Sequence, residues 1–211
     1  MKKAVIFDMD GVIIQSEMLY QKRRNIFFEA HGILVDDTFQ RNVIGSNPVD
    51  MFAMIFPKSK DKQKEYLDKY NEFKTDYHIE FKEILTDDIE QTLRWLKENN
   101  YRIALASSGE YPILMRILEE TMLAPYFEVV VSGADMPKSK PAPDVYLEAV
   151  KQLGLSPSEC VAVEDSKHGI QASVSAGLDC LALKPNNYEV DQQLATQIIN
   201  SLNDIPTWLS L

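Results

Sequence analysis

The stretch "KAVIFDMDGV", residues 3–12, runs an apolar segment straight into two aspartates, Asp8 and Asp10, one residue apart. Residues 4–8 have the continuous apolar character of a strand buried on both faces of a parallel sheet, not the alternation of a half-exposed one. A buried strand is a poor place to end on two repelling carboxylates, so the pair demands a chemical reason. Four more short apolar segments share this character: "RIALASS" (102–108), "FEVVVSG" (127–133), "CVAVED" (160–165) and "DCLAL" (179–183). Helical patterns lie between them. "APDVYLEAVKQLG" carries apolar residues at helical spacing and stops at Gly154, and "SKHGIQASVSAG" stops at Gly177. Ser156, Pro157 and Glu159 form a capping-box pattern at the head of a short turn. Strands alternating with helices predict an α/β fold, a doubly wound parallel sheet of Rossmann-like kind.

One connection is far too long for this rhythm. About ninety residues separate Gly11 from Tyr101, whereas a crossover needs about a dozen. Within them "SEMLYQKRRNIFFEAHG" reads as an amphipathic helix ending at Gly32. "DDTFQRNVIG" and "NPVDMFAMIF" read as two shorter helices, and "DKQKEYLDKYNEFKTDYHIEF" as a long polar one. "TDDIEQTLRWLKENN" then returns the chain to the sheet as the crossover helix proper. The expected organisation is a core domain of residues 1–14 and 83–211, interrupted by a small helical cap domain over 15–82.

Composition narrows the partners. The 211 residues are 45% hydrophobic and 26% charged, with a formal net charge of -10. That field opposes nucleic acid and anionic membrane surfaces. No apolar run approaches the ~20 residues of a membrane span. The apolar stretch after Lys2 and Lys3 meets aspartates too soon for an export signal, so a cytoplasmic monomer acting on a small molecule is expected. Cys160 and Cys180 sit in apolar segments, as buried reduced thiols do, and lack metal or redox spacing. His31, His78 and His168 are scattered, which argues against zinc.

In open α/β sheets, ligands bind beyond the carboxyl ends of the strands. Those ends offer Asp8 and Asp10 after the first strand, Ser107 and Ser108 at the second, and Glu164 and Asp165 at the fourth. The loop after the third, "KSKPAPD", adds Lys138 and Lys140. Taken singly, each has an ordinary use: a turn device, a helix N-terminal dipole partner, a strand-end hydroxyl, a solvated charge. Taken together they converge on one crevice. Four close carboxylates cannot all stay ionised without a compensating cation, and all-oxygen donors suit Mg²⁺. A lysine and a hydroxyl beside them suit a phosphate that the metal also holds.

"DMDGV", "ASSG", "KPAPD" and "VEDSKHGIQASVSAG" resemble, in order, the four motifs of the haloacid dehalogenase superfamily. The helical insertion after the first motif is similar to the β-phosphoglucomutase-like and phosphoglycolate-phosphatase-like subfamily. The resemblance covers essentially the whole chain, strongly in the core and weakly in the insertion. It implies Asp8 as nucleophile and Asp10 as the proton donor and acceptor. It further implies Mg²⁺ held by Asp8, the Asp10 carbonyl and Asp165, with Glu164 as a further ligand or outer partner. Ser107 and Lys140, with Ser108 and Gly11 beside them, would bind the phosphoryl group. Three departures stand out: Gln15 precedes Ser16 where the family usually has aspartate, Tyr20 replaces a mutase histidine, and "IGSNPVD" offers Pro48 where mutases carry a phosphate-gripping arginine shortly after Gly45. Lys74 matches a basic cap position, so Tyr20 and Lys74 are the candidate substrate contacts there. The expected activity is a Mg²⁺-dependent phosphatase of small phosphorylated metabolites, sugar phosphates foremost, working through an aspartyl phosphate. A phosphomutase is the alternative. A silent binding domain is disfavoured because no motif residue is missing, and a dehalogenase because Asp10 and the Glu164–Asp165 pair suit a metal and a phosphate.

Overall fold

The computed structural model describes residues 1–43, 48–77, 79–134, 136–186 and 189–210. Along the chain the elements run β1 (Ala4–Phe7), α1 (Ser16–Ala30), α2 (Asp37–Asn42), α3 (Pro48–Ile55), α4 (Lys60–Asp76) and α5 (Ile89–Glu98). They continue with β2 (Arg102–Ser107), α6 (Tyr111–Glu120), β3 (Val129–Ser132), α7 (Asp144–Leu153) and β4 (Cys160–Glu164). Last come α8 (Lys167–Ser175), β5 (Asp179–Leu183), β6 (Gln197–Ile199) and α9 (Asp204–Leu209). The chain folds as two compact units, one of Met1–Gln15 with Phe81–Leu211 and the other of Ser16–Glu80.

The first unit carries the sheet, ordered β3-β2-β1-β4-β5-β6 with every pair parallel. All of β1 is buried because it is central, with Phe7 level with Leu105 of β2 and Val163 of β4. Alternate strand residues face opposite sides. Ala4, Ile6, Ala104, Ala106 and Ala162 pack against Tyr146 and Ala149 of α7 and Ile170 and Ala172 of α8, small strand residues letting the helices approach. From the other side α5 and α6 lie on β2 and β3, burying Leu93, Leu96, Leu114 and Leu118. The sheet is therefore doubly wound, as the apolar segments predict. Glu159 closes the expected capping box, its carboxylate accepting from the Ser156 N–H at 2.9 Å and the Ser156 hydroxyl at 2.8 Å. Lys3, then Ser156, hold that carboxyl down at about 2. The sixth strand is an addition to the five read from the sequence.

The inserted unit is an aromatic-cored helical module. Phe27, Phe28, Phe52 and Tyr70 are buried, with Phe39, Tyr66 and Phe73 packed around them. Phe27 meets Tyr70 edge-on at 5.0 Å, a favoured aromatic geometry. His31 stacks on Phe27 at 4.1 Å and places Nδ1 2.8 Å from the Phe27 carbonyl, a structural use of that histidine. Ser59 caps α4 by accepting from the Lys62 N–H at 3.4 Å. This helix stops at Asp76, short of the expected 81, because Tyr77 adopts extended backbone. Gly45 and His78, singled out in the sequence, lie outside the described residues. Among the described residues, no helix is long and apolar enough to cross a membrane.

Candidate active site

Beyond Phe7 the chain keeps its pairing for one more residue, the Asp8 N–H donating to the Val163 carbonyl at 3.0 Å. Asp8 is thereby held 8% exposed at the carboxyl edge of the sheet. A tight turn follows, in which the Ile13 and Ile14 N–H groups donate to Met9 O at 2.9 and 3.1 Å, and Gly11 N–H to Ile14 O at 2.7 Å. Gly11 has φ +77°, a left-handed conformation that favours glycine. A Cβ on it would lie 2.0 Å from Asp165 Oδ2. The space a side chain would fill is taken by a carboxylate, and that is what makes glycine necessary here. Asp10 stands half-buried on the same turn.

The strand order brings the next groups alongside. Asp8, Glu164 and Asp165, all buried, each offer a carboxylate oxygen within 4.8 Å of the others. Lys140 enters from the β3–α7 loop, and its ammonium donates to Asp8 Oδ1 and Glu164 Oε1, both at 2.7 Å, and to the Ala106 carbonyl at 3.0 Å. Burial pushes the Asp8 carboxyl up to about 7; Lys140 opposes this, and Glu164 and Asp10 add to it. Burial works to lower the Lys140 ammonium, yet Asp8 and Glu164 together hold it above its ordinary value. Both oxygens of Glu164 are engaged: Oε1 by Lys140 and by the Tyr146 hydroxyl at 2.7 Å, Oε2 by the Asp165 N–H and the Ser166 hydroxyl, each at 3.2 Å. A Cβ at Gly169 would fall 1.8 Å from Glu164 Oε1, so the first turn of α8 closes tightly over this carboxylate.

Ser107, at the end of β2, is buried, and its hydroxyl accepts from the Gly109 N–H at 3.2 Å. Ser108 and Lys138 are exposed. Tyr20 and Lys74 belong to the inserted unit. There the Arg23 guanidinium lies 4.8 Å from the centre of the Tyr20 ring, and the Lys74 ammonium 5.7 Å from that of Tyr70. Pro48 is the first residue of α3, where its missing N–H and fixed φ suit a helix start. Two residues of the core site carry no clear mark in the sequence. Tyr146 looks like one more apolar residue of α7, and only its buried hydroxyl, which must find a partner, hints at more. Gln192, 6% exposed, donates from Nε2 to the Asp165 and Leu183 carbonyls, both at 2.9 Å, and nothing local in "EVDQQLA" marks it.

The donor set fits a hard divalent cation. It is all oxygen, it is buried, and Asp8 is driven toward its neutral form by burial and like charge, a situation a cation relieves.

A parallel sheet with a carboxylate cluster and a buried lysine at its carboxyl edge makes that edge the candidate active site of an α/β fold. The family model described as haloacid dehalogenase-like hydrolase matches residues 5–183. A relative from Thermotoga maritima, "Phosphorylated carbohydrates phosphatase", is 31% identical over 188 residues, covering 84% of this chain and 82% of that one. "Hexitol phosphatase B" from Escherichia coli K12 is 27% identical over 211 residues, covering 96% and 93%. The solved structure of β-phosphoglucomutase from Clostridium difficile superposes with TM-score 0.78 at 22% identity, covering 100% of this chain and 96% of that one, and so shares the fold. The chain belongs to the haloacid dehalogenase-like hydrolase family. It is an enzyme of that hydrolase family, and the relatives named above are phosphatases.

Proposed function

We propose that the protein is a Mg²⁺-dependent phosphatase of small phosphorylated metabolites, sugar phosphates foremost, acting through an aspartyl phosphate on Asp8. The observation that carries this reading is the buried Lys140 ammonium bridging Asp8 and Glu164 beside Asp165, a cation placed against the carboxylate that would attack. The names of the Thermotoga and Escherichia relatives support the substrate class. Mg²⁺ would be held by Asp8, the Asp10 carbonyl and Asp165, where it would neutralise charge on the phosphoryl oxygens. Glu164, saturated by protein donors, serves Lys140 in this scheme.

An Asp8 carboxylate oxygen attacks phosphorus, forming the O–P bond as the ester O–P bond breaks, and Asp10 gives its proton to the departing alkoxide. Asp10, now ionised, takes a proton from water as that water attacks phosphorus. Inorganic phosphate leaves and Asp8 is regenerated. Ser107 and Lys140 hold the phosphoryl oxygens, with Ser108 and Gly11 lining the same approach. Substrate choice is assigned to the inserted unit, with Tyr20 and Lys74 as the candidate residues.

Phosphatase is favoured over mutase because Pro48 cannot grip a second phosphate as a forked guanidinium can. The test is the partition between released phosphate and glucose 6-phosphate from β-glucose 1-phosphate, with Mg²⁺ and a bisphosphate primer present. Phosphate release is expected to dominate. Predominant isomerisation would replace this reading by the mutase one.

A further inference from the structure

We infer that Tyr146 is a positioning residue for the transfer: its hydroxyl fixes where the Lys140 ammonium stands. The inference rests on the phosphatase reading for what Lys140 does, but on geometry alone for what Tyr146 does. Tyr146 is fully buried on the α7 face that packs against the sheet. Its hydroxyl donates to Glu164 Oε1 at 2.7 Å, the same oxygen that accepts from Lys140 at 2.7 Å. The Lys140 ammonium lies 3.4 Å from that hydroxyl oxygen and 4.9 Å from the centre of the Tyr146 ring. One aromatic side chain therefore touches both members of the ion pair at its polar end, its hydroxyl donating to the carboxylate and presenting its oxygen to the cation.

The arrangement solves a definite problem. A lysine side chain has four rotatable stem bonds and a compact charge that water would pull outward. Bridging Asp8 and Glu164 orients it only if Glu164 itself cannot turn. The Asp165 N–H and the Ser166 hydroxyl pin Oε2, and Tyr146 pins Oε1 from within the core. Phenylalanine would fill the same volume and keep the ring, leaving Oε1 with Lys140 as its partner. Oε1 would then lose its donor from the core while Oε2 stays held, and the ammonium would lose part of the fixed point it needs while charge spreads over the phosphoryl oxygens. The hydroxyl is thus what tyrosine adds here over an apolar core residue.

Tyr146→Phe isolates that hydroxyl. With p-nitrophenyl phosphate and Mg²⁺, kcat is expected to fall about tenfold, the size of a lost charge-assisted hydrogen bond, while KM stays within about twofold. In a Lys140→Met background the same change should have no further effect, because its action runs through the lysine. A kcat within about twofold of wild type, or an undiminished tenfold loss without Lys140, overturns the inference. A second readout needs no turnover: hydrogen exchange at the Lys140 ammonium, followed by ¹⁵N NMR, should quicken severalfold in Tyr146→Phe. Unchanged exchange also overturns it. A wild-type protein that hydrolyses no phosphate ester would refute the phosphatase reading alone, since the exchange comparison is made without substrate.

Discussion

At Gly11 one absent Cβ decides whether Asp165 can stand beside Asp8. Gly11→Ala would combine a left-handed backbone strain with a contact to Asp165 that no rotamer of alanine can relieve. Activity should fall by about ten- to a hundredfold, the scale on which metal-supporting residues act. Gly154 is the control, because it also has positive φ but its Cβ would meet nothing within 4 Å. Gly154→Ala should lose about 1 kcal/mol of stability in a denaturant titration and leave kcat alone. The two aspartates separate by substrate. Asp8→Asn should abolish turnover, by about a thousandfold or more, without unfolding the protein. Asp10→Asn should harm a sugar phosphate more than an aryl phosphate, whose leaving group needs little protonation, and equal losses on both would remove the proton-transfer role. Sequence makes Asp8, Ser107, Glu164 and Asp165 visible because each sits where an apolar run ends. Tyr146 and Gln192 are invisible there because what distinguishes them is a partner brought in by another element, α7 reaching over to β4 and the 189–193 segment back to Asp165.

The short helix α8 shows how an element end serves the site. Ser166 caps it by accepting from the Gly169 N–H at 3.0 Å, and the same hydroxyl donates to Glu164 Oε2. Helix start and carboxylate orientation are therefore one construction. Ser166→Ala should destabilise by about 1 kcal/mol, read as a shift in the denaturant midpoint. Asparagine restores a cap acceptor, so Ser166→Asn should recover most of that loss. If both variants were as stable as wild type, the cap would contribute nothing. Elements are legible in proportion to their burial. The four inner strands, and β3 at the other edge, announce themselves as continuous apolar runs. β6 is three residues long, lies at the sheet edge and leaves Gln197 and Ile198 exposed, so it has neither the length nor the apolar continuity to be read. The end of α4 is hard to read for a different reason, since its aromatic period, Tyr66, Tyr70 and Phe73, carries on to Tyr77, where the backbone has already turned extended.

Across the whole molecule, the long first connection is readable as an insertion from chain length alone, because no crossover needs so many residues. The pairing of its helices is not, because Arg23 of α1 meets Tyr70 of α4, at 5.8 Å, only once the two helices pack. The acidic character of the chain, -10 in all, matters most where it is concentrated, in the buried cluster of Asp8, Glu164 and Asp165. That cluster links protonation, metal and stability. Burial raises the Asp8 carboxyl from 3.8 to about 7, so without metal the folded state binds a proton there that the unfolded chain has already lost. A raised carboxyl gives stability that is full below the unfolded value and is lost as pH rises through the folded one. The metal-free protein should therefore lose stability between about pH 4 and pH 7, and Asp8→Asn should flatten that part of the curve. Mg²⁺ held at Asp8, as proposed, would compete with the same proton, so its effect should be greatest once Asp8 is ionised. At about a hundred times its Kd the ion adds about 2.7 kcal/mol, which for a chain of this size is a Tm rise of roughly 5–10 °C. Thermal melts in EDTA and in Mg²⁺, at about pH 5 and about pH 8, should show the larger rise at the higher pH, and Asp8→Asn should shrink it. An equal rise at both pH values, or an undiminished one in Asp8→Asn, would mean that the ion stabilises the protein elsewhere than at this cluster.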